Sequence, residues 1–364
     1  MKIFRTAIIA FIGFAIISGQ SCSRNTFPSD SSGQPKNVIL LIGDGMGVTQ
    51  LYAAMSVVKK SLYLESAKFI GFNRTHSWDD YSTDSAAGGT ALATGVKTRN
   101  GIIGMRADSM SLPNLIELAH RRGLAGGVVS TSSVTHATPA AFVAHNISRN
   151  QYEEIATDFL KTMPEVFIGG GYDNFANRRD GANYIPELKE KGYTVVTSVE
   201  ELLEVDGADR LAGLLAPGHM PAMSDGRGDM LSYASLKAIE TLSRNENGYF
   251  LMVEASQIDW GGHENNTDYI IREVLDLDRT LGVLLDYAKL NGETLIVVTS
   301  DHETGGMALP YGDVHDRSVA AEYTSTGHTG VIVPVFAFGP GADEFTGFYE
   351  NTDLFKKIKT LLGL

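Results

Sequence analysis

Three short apolar runs, each ending at an acid, constrain this chain more than any other feature. The first is Asn37-Val38-Ile39-Leu40-Leu41-Ile42-Gly43, followed by Asp44. The second is Phe250-Leu251-Met252-Val253, followed by Glu254. The third runs from Thr294 to Thr299 and leads through Ser300 to Asp301. A run of this length without polar alternation reads as a strand buried on both faces, as in a parallel sheet. Acids at the carboxyl ends of such strands stand where open α/β sheets keep their sites. If the strands are parallel, all three acids share one rim. The predicted fold is a three-layer α/β sandwich: a large, mostly parallel central sheet with helices on both faces. At 364 residues the chain is long enough for one large core and too short for many domains.

The intervening segments fit that architecture. Lys68–Phe72, Ala125–Ser130, Glu165–Gly169, Tyr193–Val196 and Val331–Phe338 read as strands. Leu112–His120, Tyr152–Lys161, Tyr233–Arg244, Asp268–Leu290 and Asn351–Leu361 read as helices. Residues 151–245 carry no acid–histidine cluster and read as scaffold, with His219 structural or exposed. The loops 173–184 and 305–317 are candidates for shaping selectivity.

Candidate chemistry gathers between these elements. In Thr83-Asp84-Ser85-Ala86-Ala87-Gly88-Gly89-Thr90-Ala91, Thr83 or Asp84 caps a helix and Ser85 opens its first turn. The positive end of a helix suits an anion such as phosphate, and the tiny side chains allow close approach. Taken alone, the stretch is better explained as an ordinary capped helix packed tightly through Ala and Gly, and only the rest of the chain overturns that. Ser130 to Pro139 is rich in hydroxyl oxygens, with Pro139 suited to a first helical position in a helix that carries His145. Arg149 follows Ser148 and would clamp a phosphate in two-pronged fashion, though a lone arginine is more often solvated. Asp259 and His263 are four apart, so one helical turn aligns them. Asp301-His302 and the loop Thr326-Gly327-His328-Thr329-Gly330 complete the set. Together these residues give carboxylates and imidazoles without thiolates, a ligand chemistry of catalytic rather than structural zinc. There are enough of them for two ions, which would activate a weak hydroxyl nucleophile without a Ser–His–Asp triad.

The formal net charge of −13 argues against a nucleic-acid or anionic-membrane surface. It does not exclude a phosphate substrate if the site itself holds cations. The N-terminus reads as an export signal over residues 1–22. Lys2 and Arg5 precede the apolar run Ala7–Ile17, which is too short to span a bilayer. Cys22 is the only cysteine, so no internal disulfide forms. Its position favours a lipid-anchored cysteine over ordinary cleavage nearby. Residues 23–36 are rich in Ser, Pro, Gly and Asn and read as a flexible tether. Residues 37–364 form the catalytic domain, exported to the periplasm or membrane-anchored as a lipoprotein.

From Asn37 to the C-terminus the chain resembles the alkaline phosphatases. The resemblance rests on Gly-Asp-Gly-Met-Gly at 43–47, Thr-Asp-Ser-Ala at 83–86, Thr-Pro at 138–139 and Ser-Arg at 148–149. Val-Glu at 253–254, Asp-x-x-x-His at 259–263, Ser-Asp-His at 300–302 and Gly-His-Thr-Gly at 327–330 follow in the family order. It implies a homodimeric α/β enzyme that hydrolyses phosphate monoesters with two zinc ions and one magnesium. It implies that Ser85 is phosphorylated and then dephosphorylated by water, with overall retention at phosphorus. By position, Asp259, His263 and His328 would hold the first zinc. Asp44, Asp301 and His302 would hold the second, completed by Ser85. Asp44, Thr138 and Glu254 would take the magnesium, and Arg149 would clamp the phosphate.

Two residues depart from the best-known enteric type. His136 and Trp260 stand where that type has an acid and a lysine, so His136 would favour zinc in the third position or act only through water. Two rivals remain at this stage. A phosphodiesterase or sulfatase-like hydrolase would share the metal-centred logic. A non-enzymatic surface lipoprotein would bind metal or phosphate without turnover.

Overall fold

The computed structural model describes residues 33–364. The expected signal, Cys22 and residues 23–32 of the expected tether lie outside the described residues. Along the chain the first eight strands are β1 (Asn37–Gly43), β2 (Phe69–Arg74), β3 (Ala125–Ser133), β4 (Val166–Gly170), β5 (Thr194–Val196), β6 (Leu211–Leu214), β7 (Tyr249–Ala255) and β8 (Thr294–Thr299). Four short strands follow: β9 (Glu303–Thr304), β10 (Met307–Asp313), β11 (Ser318–Tyr323) and β12 (His328–Thr329). The last two are β13 (Val333–Phe338) and β14 (Gly347–Glu350).

Ten of these form one sheet in the order β14-β2-β13-β8-β1-β7-β3-β4-β6-β5. β13 runs antiparallel to both its neighbours, and every other pairing in that sheet is parallel. The apolar strand β1 sits at the centre between β7 and β8 and is buried along its whole length. Ile42 lies level with Glu254 on one side and with Thr299 on the other. Asp44, Glu254 and Asp301 therefore reach the same rim.

Alternate residues of β1 feed two cores. Val38, Leu40 and Ile42 pack with Phe142, Phe250 and the Ala86, Leu92 and Ala93 side chains of the Ser85–Thr94 helix. Ile39 and Leu41 pack with Leu277, Leu281 and Leu284 of the Thr267–Asn291 helix. Helices thus cover both faces, as the doubly buried strand predicted. Among the described residues no helix is long and apolar enough to cross a membrane.

Three local expectations change. The helix expected to start at Pro139 and carry His145 begins at Ala137 and ends at Ala141, with His136 at its N-terminal boundary. The 305–317 segment is not a loop but most of the β10–β11 hairpin. The 173–184 segment includes most of a short helix, Tyr172–Ala176.

Candidate active site

The rim is built by loops that leave β1, β7 and β8. After β1 the chain turns at Gly45, whose φ is +74° and whose absent Cβ would meet the Asp259 Cα at 2.6 Å. Only glycine satisfies both demands, and its close approach brings Asp44 beside the Gln257–His263 helix. That helix presents Asp259 and His263 on one side, with Asp259 Oδ2 3.3 Å from His263 Nε2. Asp84 is the cap of the Ser85–Thr94 helix, its Oδ1 accepting from the Ala87 N–H at 2.9 Å. Ser85 then stands in the first turn with Oγ 3.2 Å from His302 Nε2. The helix packs tightly on the end of β8, because a Cβ at Gly88 would lie 3.1 Å from the Asp301 Cβ.

Three ligand clusters result. In the first, His263 Nδ1 faces the Thr326 carbonyl at 2.6 Å and His328 Nδ1 faces the Thr83 carbonyl at 2.8 Å. Each ring donates from Nδ1, so each Nε2 lone pair is turned inward. The two Nε2 atoms lie 3.2 Å apart, and Asp259 Oδ1 is 3.4 Å from that of His328. Nitrogens and a carboxylate at this distance are set to share a cation, and in the metal-free chain a proton on His263 Nε2, held by Asp259, fills that role. In the second, Asp44, Asp301 and His302 converge. His302 Nε2 is 3.2 Å from Asp301 Oδ2 and 3.5 Å from Asp44 Oδ1. In the third, Asp44, His136 and Glu254 converge, and the Thr138 hydroxyl donates to Asp44 Oδ2 at 3.3 Å.

The charges are out of balance without metal. Burial, then the neighbouring Asp301, Asp259 and Glu254, push the Asp44 carboxyl well above the usual range. Burial and Asp259 push Asp301 up to about 7. His263 is raised to about 9, chiefly by its bond to Asp259. Asp44 Oδ1, Glu254 Oε1 and Asp301 Oδ2 are buried with no hydrogen-bond partner among the described residues. Divalent cations fit these donors: mixed N/O sets in the first two clusters, and Asp44, Thr138 and Glu254 oxygens in the third.

Arg149 reaches the same space. It donates to Asp84 Oδ2 at 3.0 Å and to His136 Nε2 at 3.2 Å. Burial and the positive charge of Arg149 lower His136 to about 3, so its ring is neutral. Trp260 stands edge-on to His136 at 6.3 Å and to His219 at 4.8 Å between ring centres.

A family model for alkaline phosphatase matches residues 35–315. The chain belongs to the alkaline phosphatase family. It is 32% identical to alkaline phosphatase 4 of Bacillus subtilis, over 99% of this chain and 97% of that protein. It is 32% identical to the alkaline phosphatase of Escherichia coli, over 90% of this chain and 86% of that one. Among solved structures, the alkaline phosphatase of the Antarctic bacterium TAB5 superposes with a TM-score of 0.85 at 40% identity, covering 91% of this chain and 98% of that one. A His-to-Asp variant of that enzyme, with magnesium bound in its M3 site, superposes equally at 39% identity over the same shares. The chain is accordingly a phosphoric monoester hydrolase. The reaction is metal-dependent and passes through a phosphoserine intermediate.

Every site residue expected from the alkaline phosphatase resemblance lies at or beside this rim. Sequence reasoning missed the residues behind them. The Ser130 hydroxyl donates to Glu254 Oε2 at 2.6 Å. The Thr304 hydroxyl donates to Asp259 Oδ1 at 2.5 Å. Buried Glu303 accepts from Gln50 and from the Thr329 hydroxyl beside His328. Thr304 and Glu303 adjoin the Asp301-His302 pair in sequence, which was the available signal. His219, read as structural or exposed, is exposed, takes the Ser133 N–H at 3.0 Å and stands edge-on to His136.

Proposed function

We propose that Ser85 is the nucleophile and Arg149 the phosphate clamp of this hydrolase. In this reading Asp259, His263 and His328 hold one zinc ion, and Asp44, Asp301 and His302 hold a second. Asp44, Thr138 and Glu254 hold magnesium, with Asp44 shared between the second and third positions. The observation that carries the reading is a buried hydroxyl 3.2 Å from His302 Nε2, which itself lies 3.2 Å from an Asp301 oxygen and 3.5 Å from an Asp44 oxygen that have no hydrogen-bond partner among the described residues. Cations in these positions would supply charge that eases loss of the serine proton and stabilises the phosphoryl and leaving oxygens.

The chain's own residues do the rest. The helix N-terminus at Ser85 favours the incoming dianion. Asp84 and His136 hold the Arg149 guanidinium in orientation while its remaining N–H groups stay available for phosphate oxygens. Ser85 Oγ attacks phosphorus in line as the alcohol departs. Water then attacks the phosphoserine, and two in-line displacements give retention at phosphorus. His263, His302 and His328 keep their Nε2 atoms directed at the rim through bonds made at Nδ1.

The finer assembly readings belong to the same proposal: a homodimer, exported to the periplasm or tethered to a membrane through Cys22. The Lys2/Arg5 and Ala7–Ile17 pattern supports export. The test of the nucleophile is an acid quench during turnover of a phosphate-labelled aryl ester. Label on the peptide containing Ser85 is expected. Label on another residue, or none in an active enzyme, overturns the assignment.

A further inference from the structure

Thr304 sits where the loops that build the two proposed zinc positions meet, and it belongs to neither ligand set. Its backbone N–H donates to the Gly45 carbonyl at 3.2 Å, next to Asp44. Its own strand pairs it with His328 across the β9–β12 ladder. A Cβ at Gly262 would lie 2.8 Å from the Thr304 Cβ, so the Gln257–His263 helix rests directly against its side chain. The residue is fully buried.

The hydroxyl reaches both ligand sets at once. Oγ1 lies 2.5 Å from Asp259 Oδ1 and 3.3 Å from His302 Nδ1. A hydroxyl has one proton and two lone pairs. A carboxylate only accepts, so the proton goes to Asp259. Toward His302 the oxygen then has only lone pairs to offer, and the imidazole proton must sit on Nδ1. That leaves the His302 Nε2 lone pair free, 3.2 Å from both Ser85 Oγ and Asp301 Oδ2. One hydroxyl thus fixes the tautomer of a ligand in one position and one carboxylate oxygen of a ligand in the other.

We propose that the Thr304 hydroxyl is a positioning group that couples the two metal positions, so that zinc ions load as a linked pair. This rests on the assignment of Asp259 and His302 to neighbouring zinc positions. An ion drawn to His302 Nε2 strengthens the Nδ1–H donor. A stronger donor polarises the Thr304 O–H toward Asp259, which orients that carboxylate for the first ion.

The experiment titrates metal-free protein with zinc against a chromophoric chelator. Wild-type protein is expected to take up two ions in one steep step. Thr304→Val keeps the shape and removes the hydroxyl. It should weaken uptake by about 10- to 100-fold, the usual effect of losing a group that supports a ligand, and separate the two steps. Thr304→Ser keeps the hydroxyl and should titrate like wild type. In nitrogen-15 spectra of the metal-free wild type, His302 should carry its proton on Nδ1. Three results overturn the proposal: Thr304→Val titrating like wild type, Thr304→Ser as weak as Thr304→Val, or His302 protonated on Nε2. Should Thr304→Val fail to fold, the serine variant and the spectrum decide. A wild type that binds no zinc overturns the metal assignment itself. Normal wild-type uptake with an unaltered Thr304→Val overturns only the coupling.

Discussion

Two clusters of buried acids among the described residues are built on opposite principles. Glu273 and Asp276, on the Thr267–Asn291 helix, surround Arg227 with all three side chains fully buried. Glu273 accepts from both Arg227 terminal nitrogens and from the Met223 N–H. Asp276 accepts from Arg227 at 2.9 Å and from Arg279 at 2.9 Å. Each carboxylate oxygen there has a donor. At the rim, Asp44, Glu254 and Asp301 are as deeply buried, yet each keeps one oxygen without a partner. Arg149, the guanidinium that reaches this space among the described residues, points to Asp84 and His136. The fold can neutralise buried acids with arginine, and at the rim it does not. The uncompensated cluster is the one that awaits ions from outside.

The largest expected effect removes the reagent and leaves the imbalance. Ser85→Ala should lower turnover by on the order of 10⁴-fold or more. Zinc content and phosphate binding should persist, because Asp44, Asp301 and His302 still furnish the second position without the serine oxygen. Ordinary turnover in this variant, measured with an aryl phosphate, would refute the nucleophile assignment.

The comparison breaks most directly through one substitution in each cluster. Arg227→Leu leaves buried Glu273 without its cation and Asp276 with Arg279 alone, and should destabilise the protein by about 3–5 kcal/mol. Asp301→Asn removes a charge from the overcrowded cluster. It should leave the metal-free protein at least as stable as wild type while abolishing one zinc position. Denaturant titrations of both variants, without metal, test the contrast. An Asp301→Asn variant that unfolds as readily as Arg227→Leu would show that the rim is balanced after all. The pH dependence follows with a definite sign. Asp301 is raised from 3.8 to about 7 in the folded chain, so the unfolded state releases its proton first. Asp301's contribution to the stability of the metal-free protein should therefore fall as pH rises from about 4 through 7, so the wild type should lose stability relative to Asp301→Asn over that range, and bound zinc should remove the difference in slope. A metal-free wild type that gains stability relative to Asp301→Asn over this range contradicts the account.

What was readable in the sequence follows the same division. Apolar strands and their terminal acids are local patterns, so β1, β7 and β8 and the placement of Asp44, Glu254 and Asp301 could be seen directly. The Asp84 cap and the Asp259–His263 spacing are likewise local. The satisfied cluster was invisible, because Arg227 is 46 residues from Glu273 and nothing near it marks the pairing. The contact of exposed His219 with Ser133 was hidden for the same reason, the two being 86 residues apart. The β10–β11 hairpin escaped because its strands are mostly exposed, so they lack the apolar runs that revealed the sheet. The helix after His136 was misplaced because Pro139, a good first-turn residue, lies in its third position rather than its first.

Arg149 sharpens the comparison from the other side. It is the permanent cation of the rim among the described residues, and its removal should leave the metal ligands intact. Arg149→Ala should weaken inorganic phosphate inhibition by about 10- to 100-fold, the value of a paired charge-assisted contact. Zinc stoichiometry should not change. Loss of zinc in this variant would mean that Arg149 stabilises the rim rather than the substrate.

The smallest effect concerns how completely the rim lacks compensation at its third position. His136 is neutral, lies in the group with Asp44 and Glu254, and accepts from Arg149 at Nε2 while its buried Nδ1 finds no partner. A neutral nitrogen contributes no charge for a hard cation, and magnesium prefers oxygen. His136→Asp replaces it with a carboxylate facing Asp44 and Glu254, deepening the deficit that a divalent ion must fill. Activity should then rise several-fold with added magnesium, where the wild type responds weakly. The new acid also competes with phosphate for Arg149, so phosphate inhibition should weaken in the same variant. Activity measured against magnesium concentration in both proteins tests this. Equal indifference to magnesium would place the third ion elsewhere, and would limit the uncompensated rim to the position built on Asp259 and the one built on Asp44 and Asp301.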